Sequence, residues 1–532
     1  MNNRAYINGK IITMDPECRS ADAVLVRDGR IAVAGSVERV LDAAGADTLW
    51  YDLEGKALLP GFNDNHFHAV SAGLRTGSLD LSGLDRAQII ESLKEQRSRN
   101  PADAYLLGYG WDYPSCTEPH RDLLDAHFPD IPVFLIQFSG HAMWINTEGL
   151  RRMGLLKPGR NSDRNVLVDD TGSPTGVVRE AARNRYIRTQ FRKRTLNPEA
   201  VRNSLRTILP ALARAGITTV QDNTWFWRQV SILRELRLRG ELTCRFSCWS
   251  REQIPFTETR MRTARLDQEW VHLGPRKFFF DGAFSSHSAW LFEEYADDPG
   301  NQGAGKNAGE IYEALAPAIK HKRQPACHAI GDRAVHELCV ALERLAEKYR
   351  WIRDIRPRIE HAQLIDQADI RRIADLGILV CAQPPALVNP EKDLRLLGPS
   401  RAAAAYPYRS LLDAGAALSF GSDYPGESFF EPLRSIHLAV NREGPQRITV
   451  EEALACYTRE SAYAEFEEAS KGSIRAGKLA DFVILSDDPL SVPREEIEKL
   501  QVTHTIVGGE LVYQAHPLAE VRRRKIQASP ES

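Results

Sequence analysis

Eight short apolar, strand-like segments recur through this chain, several separated by helix-like stretches. That alternation limits the fold more than any other feature. The first segment runs from Leu58 to His68, LLPGFNDNHFH. The others are GITTVQD (216–222), LTCRFSCWS (242–250), PRKFFFDG (275–282), QPACHAIGD (324–332), PRIEHAQ (357–363), GILVCAQP (377–384) and AALSFGSD (416–423). Helix-like NPEAVRNSLRTILPALARAG precedes the second, and similar stretches occupy 331–350 and 366–376. Strands alternating with helices build a parallel sheet, and eight of them predict a closed (β/α)8 barrel of the TIM type. In such barrels chemistry sits at the C-terminal ends of the strands.

Those ends carry a pattern. The first segment ends in His66 and His68, the fourth carries Lys277, the fifth ends in His328, the sixth in His361 and the eighth in Asp423. Residues two apart on a strand point to the same side, so His66 and His68 can share one ion. Imidazole is the commonest metal ligand, and a divalent ion such as Zn²⁺ suits several histidines with a carboxylate. One histidine alone reads best as a hydrogen-bonded core residue; the full set at one barrel mouth reads as a metal site holding one or two ions. Lys277 has two readings. An ammonium cannot ligate a cation and would pair with Asp281; a buried neutral amine can take up CO₂ to give an anionic carbamate that bridges metals.

Both chain ends are rich in hairpin signals. AYINGKIITMD turns at Asn8-Gly9, AVLVRDGRIAVAGS at Asp28-Gly29, and THTIVGGELVY at Gly508-Gly509. Neither end is long enough for a core of its own, so residues 1–57 and 470–515 are expected to form one composite β-sandwich domain. The barrel then comprises 58–70 and 200–469, and 516–532 is a C-terminal tail. Residues 71–199 do not fit the alternation and read as an insertion after the first barrel strand, placed to cover the barrel mouth. They bring Trp111, Tyr113 and Trp144, and the loop after Lys277 brings Phe284 and Trp290. Trp111, His141 of SGHAMWIN and Asp281 are the candidate substrate contacts, with burial in a core or a loop cap as their plainer readings.

A net charge of −2 over 532 residues gives no basis for nucleic-acid binding. The N-terminal residues show no signal-peptide core, and no segment has the ~18–20 apolar residues of a membrane span. The eight cysteines form no CxxC; Cys244 and Cys248 are CxxxC on an expected strand. Free thiols in a reducing, cytoplasmic setting are expected, with a small-molecule substrate and possible homo-oligomers.

On LLPGFNDNHFH, GHAMWIN, SPTGVVRE, GITTVQD, RKFFFDG, HAIGDRAV, RIEHAQLI, AYPYRSLLDAGAALSFGSDYP and GSIRAGKLADFVILSDDP the chain resembles the amidohydrolase superfamily. Within it, the resemblance is to YtcJ-like metal-dependent hydrolases, including N-substituted formamide deformylases. The resemblance implies that His66 and His68 hold the more buried metal, that Lys277 is the carboxylated bridging lysine, and that His328 and His361 hold the more exposed metal. It implies that Asp423 binds metal and shuttles the proton while a metal-bound hydroxide attacks a C–N bond. Asn63, Asn65 and His287 depart from the family pattern. Isomerisation or decarboxylation on the same scaffold, or a regulatory role, remains open at this point.

Overall fold

The computed structural model describes residues 3–99, 101, 105–113, 115–137, 142–156, 165–179, 198–224, 228–251 and 267–521. Two compact units divide the chain: residues 1–68 with 209–532, and residues 69–208.

The first unit contains the barrel. Its strands are β1 (Phe62–Phe67), β2 (Ile217–Asp222), β3 (Arg245–Arg251), β4 (Val271–Phe279), β5 (Pro325–Ala329), β6 (Arg358–His361), β7 (Leu379–Ala382) and β8 (Ala417–Phe420). They lie in sequence order in one eight-stranded sheet. Neighbours from β1 to β8 are all parallel. The two outer strands meet just past their ends: the Asp423 amide donates to the His66 carbonyl at 2.7 Å and the His68 amide to the Tyr424 carbonyl at 3.1 Å. That seam needs Gly421, because a Cβ there would sit 2.4 Å from the His66 nitrogen. Helices such as Asp332–Lys348 and Gln367–Leu376 bury an apolar stripe against the strands.

The terminal strands form two further sheets. One orders 519–521, 49–52, 4–7, 23–27 and 30–35; the other orders 510–514, 502–507, 482–485, 57–60, 10–15 and 18–21. Tyr6, Ile11, Val26, Leu58, Phe482 and Ile506 share one buried core, drawn from both chain ends. Two boundaries differ from expectation. Ala57–Pro60 pairs with 10–15 and with 482–485, so the barrel begins at Phe62 rather than residue 58. Gly61 separates the two strands, and the apolar run hides the break. Residues 519–521, expected in the tail, pair with 49–52; three residues are too few to show a strand period.

A buried ion pair ties the barrel to this β domain. Arg245 of β3 donates from Nε to Asp481 Oδ2 at 2.6 Å and from Nη2 to Oδ1 at 2.9 Å, with both side chains at most 4% exposed. Asp481→Ala would leave that guanidinium buried without its counter-charge. We expect a loss of ~3–5 kcal/mol, the range for breaking one side of a buried pair, read by denaturant unfolding. A change below ~1 kcal/mol, the scale of an exposed pair, would contradict it.

The second unit is built on a six-stranded sheet ordered 166–168, 174–179, 142–145, 133–137, 106–111 and 79–80. Leu81, Ile89, Leu135 and Trp144 bury one face; Leu107, Phe134, Met143 and Leu150 bury the other. Neighbouring residues thus feed opposite cores, as a pleated strand requires. All eight cysteines are free thiols, and only Cys18 is exposed. No helix among the described residues is long and apolar enough to cross a membrane.

Candidate metal centre

β1 delivers His66 and, one residue past its end, His68. The carboxylate of Asp423, three residues past β8, reaches both: Oδ1 lies 2.9 Å from His68 Nε2 and 3.5 Å from His66 Nε2. From β6, His361 turns into the same space, its ring centroid 5.1 Å from that of His66 and 4.5 Å from that of His328 on β5. One donor atom each from His66, His361 and Asp423 falls within 4.8 Å of the others. The backbone bends to do this. His361, Ala362 and Asp423 have φ of 79°, 46° and 55°, a region costly for residues other than glycine. A continued β6 would have carried Arg358 and Glu360 on one face and His361 on the other. The left-handed turn at His361 brings its ring back to the mouth.

The hydrogen bonds set which imidazole nitrogen is free. Gln383 donates its amide N–H to the Cys381 carbonyl, so its oxygen accepts from His361 Nδ1 at 2.7 Å and leaves Nε2 as the lone pair. His328 donates from Nε2 to the Gly282 carbonyl at 2.9 Å, leaving Nδ1. His66 Nδ1 lies 2.6 Å from Glu360 Oε2. Burial, and next the charge of Lys277, push His66 and His328 down to about 4. His361 is held well below its usual value by burial and then by His328. At neutral pH these three imidazoles are uncharged and able to ligate.

For Asp423, burial opposes ionisation, but His66, His68 and His361 outweigh it and hold the carboxyl well below the usual range. Lys277 on β4 is buried at 1% exposure, and its Nζ has no hydrogen-bond partner. Burial is the main cause that lowers its pKa to about 8. Three neutral imidazoles and a carboxylate anion form a donor set that suits a divalent ion, with the buried Lys277 amine unsatisfied.

Two candidate contacts end elsewhere. Asp281 does not pair with Lys277: its carboxylate accepts the amides of Trp290, Ile330 and Gly331 at 2.9–3.2 Å and lies 3.5 Å from His328 Nε2. It pins the loop after β4 to the start of the helix after β5, so it is a positioning residue rather than a substrate contact. Trp111 is fully buried inside the second unit, its Nε1 donating to the Leu135 carbonyl at 2.8 Å and its ring edge-on to Trp144. No face of it is left for a substrate, so the core reading holds. His141 lies outside the described residues. Of the departures, Asn63 donates to Glu465 and Asn65 to Ser419, both at 2.6 Å in the barrel interior. His287 pairs with Asp297 at 2.9 Å.

Glu360, Arg358 and Gln383 were not singled out in the sequence. The available signal for the first two was alternation: in RIEH the residues before the histidine share a face and are both charged, an odd composition for a barrel interior.

Known proteins match along almost the whole chain. Protein LONG AFTER FAR-RED 3 of Arabidopsis thaliana is 31% identical over 95% of this chain and 91% of its own. The putative amidohydrolase YtcJ of Bacillus subtilis is 29% identical over 95% and 98%. The N-substituted formamide deformylase of Arthrobacter pascens is 28% identical over 97% and 99%. The crystal structure of a metal-dependent hydrolase from Pyrococcus furiosus superposes with a TM-score of 0.77 at 28% identity, covering 92% of this chain and 100% of that one. The amidohydrolase family profile matches residues 50–513, and with this barrel and donor set the chain belongs to the amidohydrolase family of metal-dependent hydrolases.

Proposed function

We propose that this protein hydrolyses the C–N, amide-type bond of a small molecule at a divalent metal centre, with Asp423 carrying the proton. The observation that supports this best is the meeting of His66, His361 and Asp423 donor atoms within 4.8 Å at the barrel mouth. A divalent ion there would polarise a carbonyl oxygen and lower the pKa of bound water toward ~7. His66, His68, Lys277, His328, His361 and Asp423 are the residues to hold one or two ions, with Zn²⁺ the best match to the nitrogen-rich set.

The chain's own groups supply the rest. Asp423 Oδ1, 2.9 Å from His68 Nε2 and 3.5 Å from His66 Nε2, places a carboxylate where it would accept a proton from the attacking water. The same carboxyl, once protonated, would pass the proton on to the leaving nitrogen. His68, bonded to Asp423 Oδ1, fixes that carboxylate in place. Amide nitrogen is a poor leaving group as an anion, and the second transfer removes that barrier. The deformylase named among the relatives acts on an N-substituted formamide, which supports C–N cleavage as the reaction class.

The test is a panel of N-formyl and N-acyl amines incubated with metal-replete protein and read by mass. The expected result is gain of one water and release of an amine from part of the panel. A product of unchanged mass would replace hydrolysis by isomerisation, and loss of CO₂ would replace it by decarboxylation.

Lys277 carries a prediction of its own. Its amine would add to CO₂ with release of one proton, giving a carbamate that converts a cation among metal ligands into an anion. Protein incubated with ¹³C-bicarbonate and metal should show a carbamate carbon resonance that Lys277→Met lacks. The same resonance in Lys277→Met would place the modification elsewhere.

A further inference from the structure

We propose that Glu360, locked by Arg358, is the positioning residue that presets His66 for metal. This rests on the metal centre proposed above and adds a role to two residues that are not themselves ligands. Glu360 Oε2 accepts from His66 Nδ1 at 2.6 Å, which places the ring proton on Nδ1 and leaves the Nε2 lone pair toward Asp423. The carboxylate has no freedom to turn away. Arg358 donates from Nε to Oε1 at 2.8 Å and from Nη2 to Oε2 at 3.3 Å.

Arg358 is itself fixed on every side. Nη2 also donates to the Asn65 carbonyl at 2.8 Å, Nη1 donates to Gln221, and the guanidinium lies over the Trp249 ring at 4.7 Å. The same indole packs against His66, with centroids 5.0 Å apart and planes at 67°. His66 is therefore held through Nδ1 by Glu360 and against its ring by Trp249, both in turn fixed by one arginine. Both Arg358 and Glu360 are 0% exposed. A buried ion pair is a poor way to gain stability, because desolvation offsets most of the attraction. Behind a ligand it has a use: such outer partners set the tautomer and orientation of metal-binding histidines. Lysine would not replace Arg358, since a point charge cannot reach both carboxylate oxygens, Gln221 and Asn65 together.

The experiment measures Zn²⁺ affinity of metal-stripped full-length protein by competition with a chromophoric chelator, and the melting temperature of each metal-free sample. Glu360→Gln keeps the shape but not the charge, and its amide can present N–H to His66 Nδ1, which puts the proton on Nε2. We expect Zn²⁺ to bind ~10–100-fold more weakly, with altered visible bands in the Co²⁺-loaded form. Arg358→Lys should weaken binding in the same direction, and it provides the measurement should Glu360→Gln not fold. Leu342→Ala, a buried position on the outer helix, should lower the melting temperature and leave affinity unchanged. Affinity within twofold of wild type in Glu360→Gln overturns the proposal. So does a loss in Leu342→Ala as large as in Glu360→Gln at equal melting temperature, which would make the effect merely structural. Wild-type protein that binds no Zn²⁺ or Co²⁺ would instead remove the metal centre itself.

Discussion

Replacing His66 with alanine is expected to strip the protein of its metal and to lower kcat/KM by more than ~10²-fold, beyond the 10–100-fold range of outer-shell partners. His66 is 1% exposed, has Glu360 behind Nδ1 and faces Asp423 and His361 through its other nitrogen. Removing the ring takes away a donor, and it leaves Glu360 Oε2 without its imidazole partner in the barrel interior. Both effects act on the metal, so elemental analysis and turnover should fall together. Chelation of the wild type should reproduce the loss of activity without the change in the protein, and added Zn²⁺ should restore it there but not in His66→Ala. Full turnover by protein shown to be metal-free would end the metal-centre reading.

The barrel was legible because its strands are apolar runs that end in polar residues at the same depth. What the sequence hid was where a run divides. ALLPGFNDNHF reads as one strand, yet Leu58 buries its side chain in the β-domain core and Phe62 starts the barrel, with Gly61 between the two strands. The six candidate ligands were visible as residue types at strand ends, and the structure brings donor atoms of His66, His361 and Asp423 within 4.8 Å of one another, with His68 beside Asp423 and His328 beside His361. Their supports were not. Glu360 and Arg358 precede a histidine that a straight strand would have turned away, and only the φ of 79° at His361 puts all three to use. The role of Asp281 is hidden because its partners are backbone amides, one on its own loop and two about fifty residues away, which leave no mark in the sequence. Trp111 shows the opposite error: an aromatic in a loop-like stretch, GYGWDYP, suggested a surface, whereas the residue closes β-strand 106–111 and fills a core.

The other large effect concerns Asp423, and it separates binding from proton transfer. Asp423→Asn keeps the shape and one oxygen toward His68 and His66, but an amide cannot take up and return a proton. We expect kcat to fall by at least ~10²-fold, the lower end of general acid–base contributions. Metal content should fall far less than in His66→Ala, because all four candidate imidazoles remain. The backbone adds a constraint: Asp423 sits at φ 55°, and its amide closes the barrel seam onto the His66 carbonyl. Asparagine tolerates that conformation as well as aspartate, so the seam should survive and the loss of rate can be assigned to the side chain. A second measurement tests the acid role directly. A substrate with an activated leaving group needs little protonation of nitrogen, so the variant should recover part of the lost rate on it, while wild type gains less. Metal stoichiometry and kcat are to be read on the same samples. Near-normal turnover at full metal occupancy would take Asp423 out of the mechanism, and an equal loss on both substrates would leave it without the acid step.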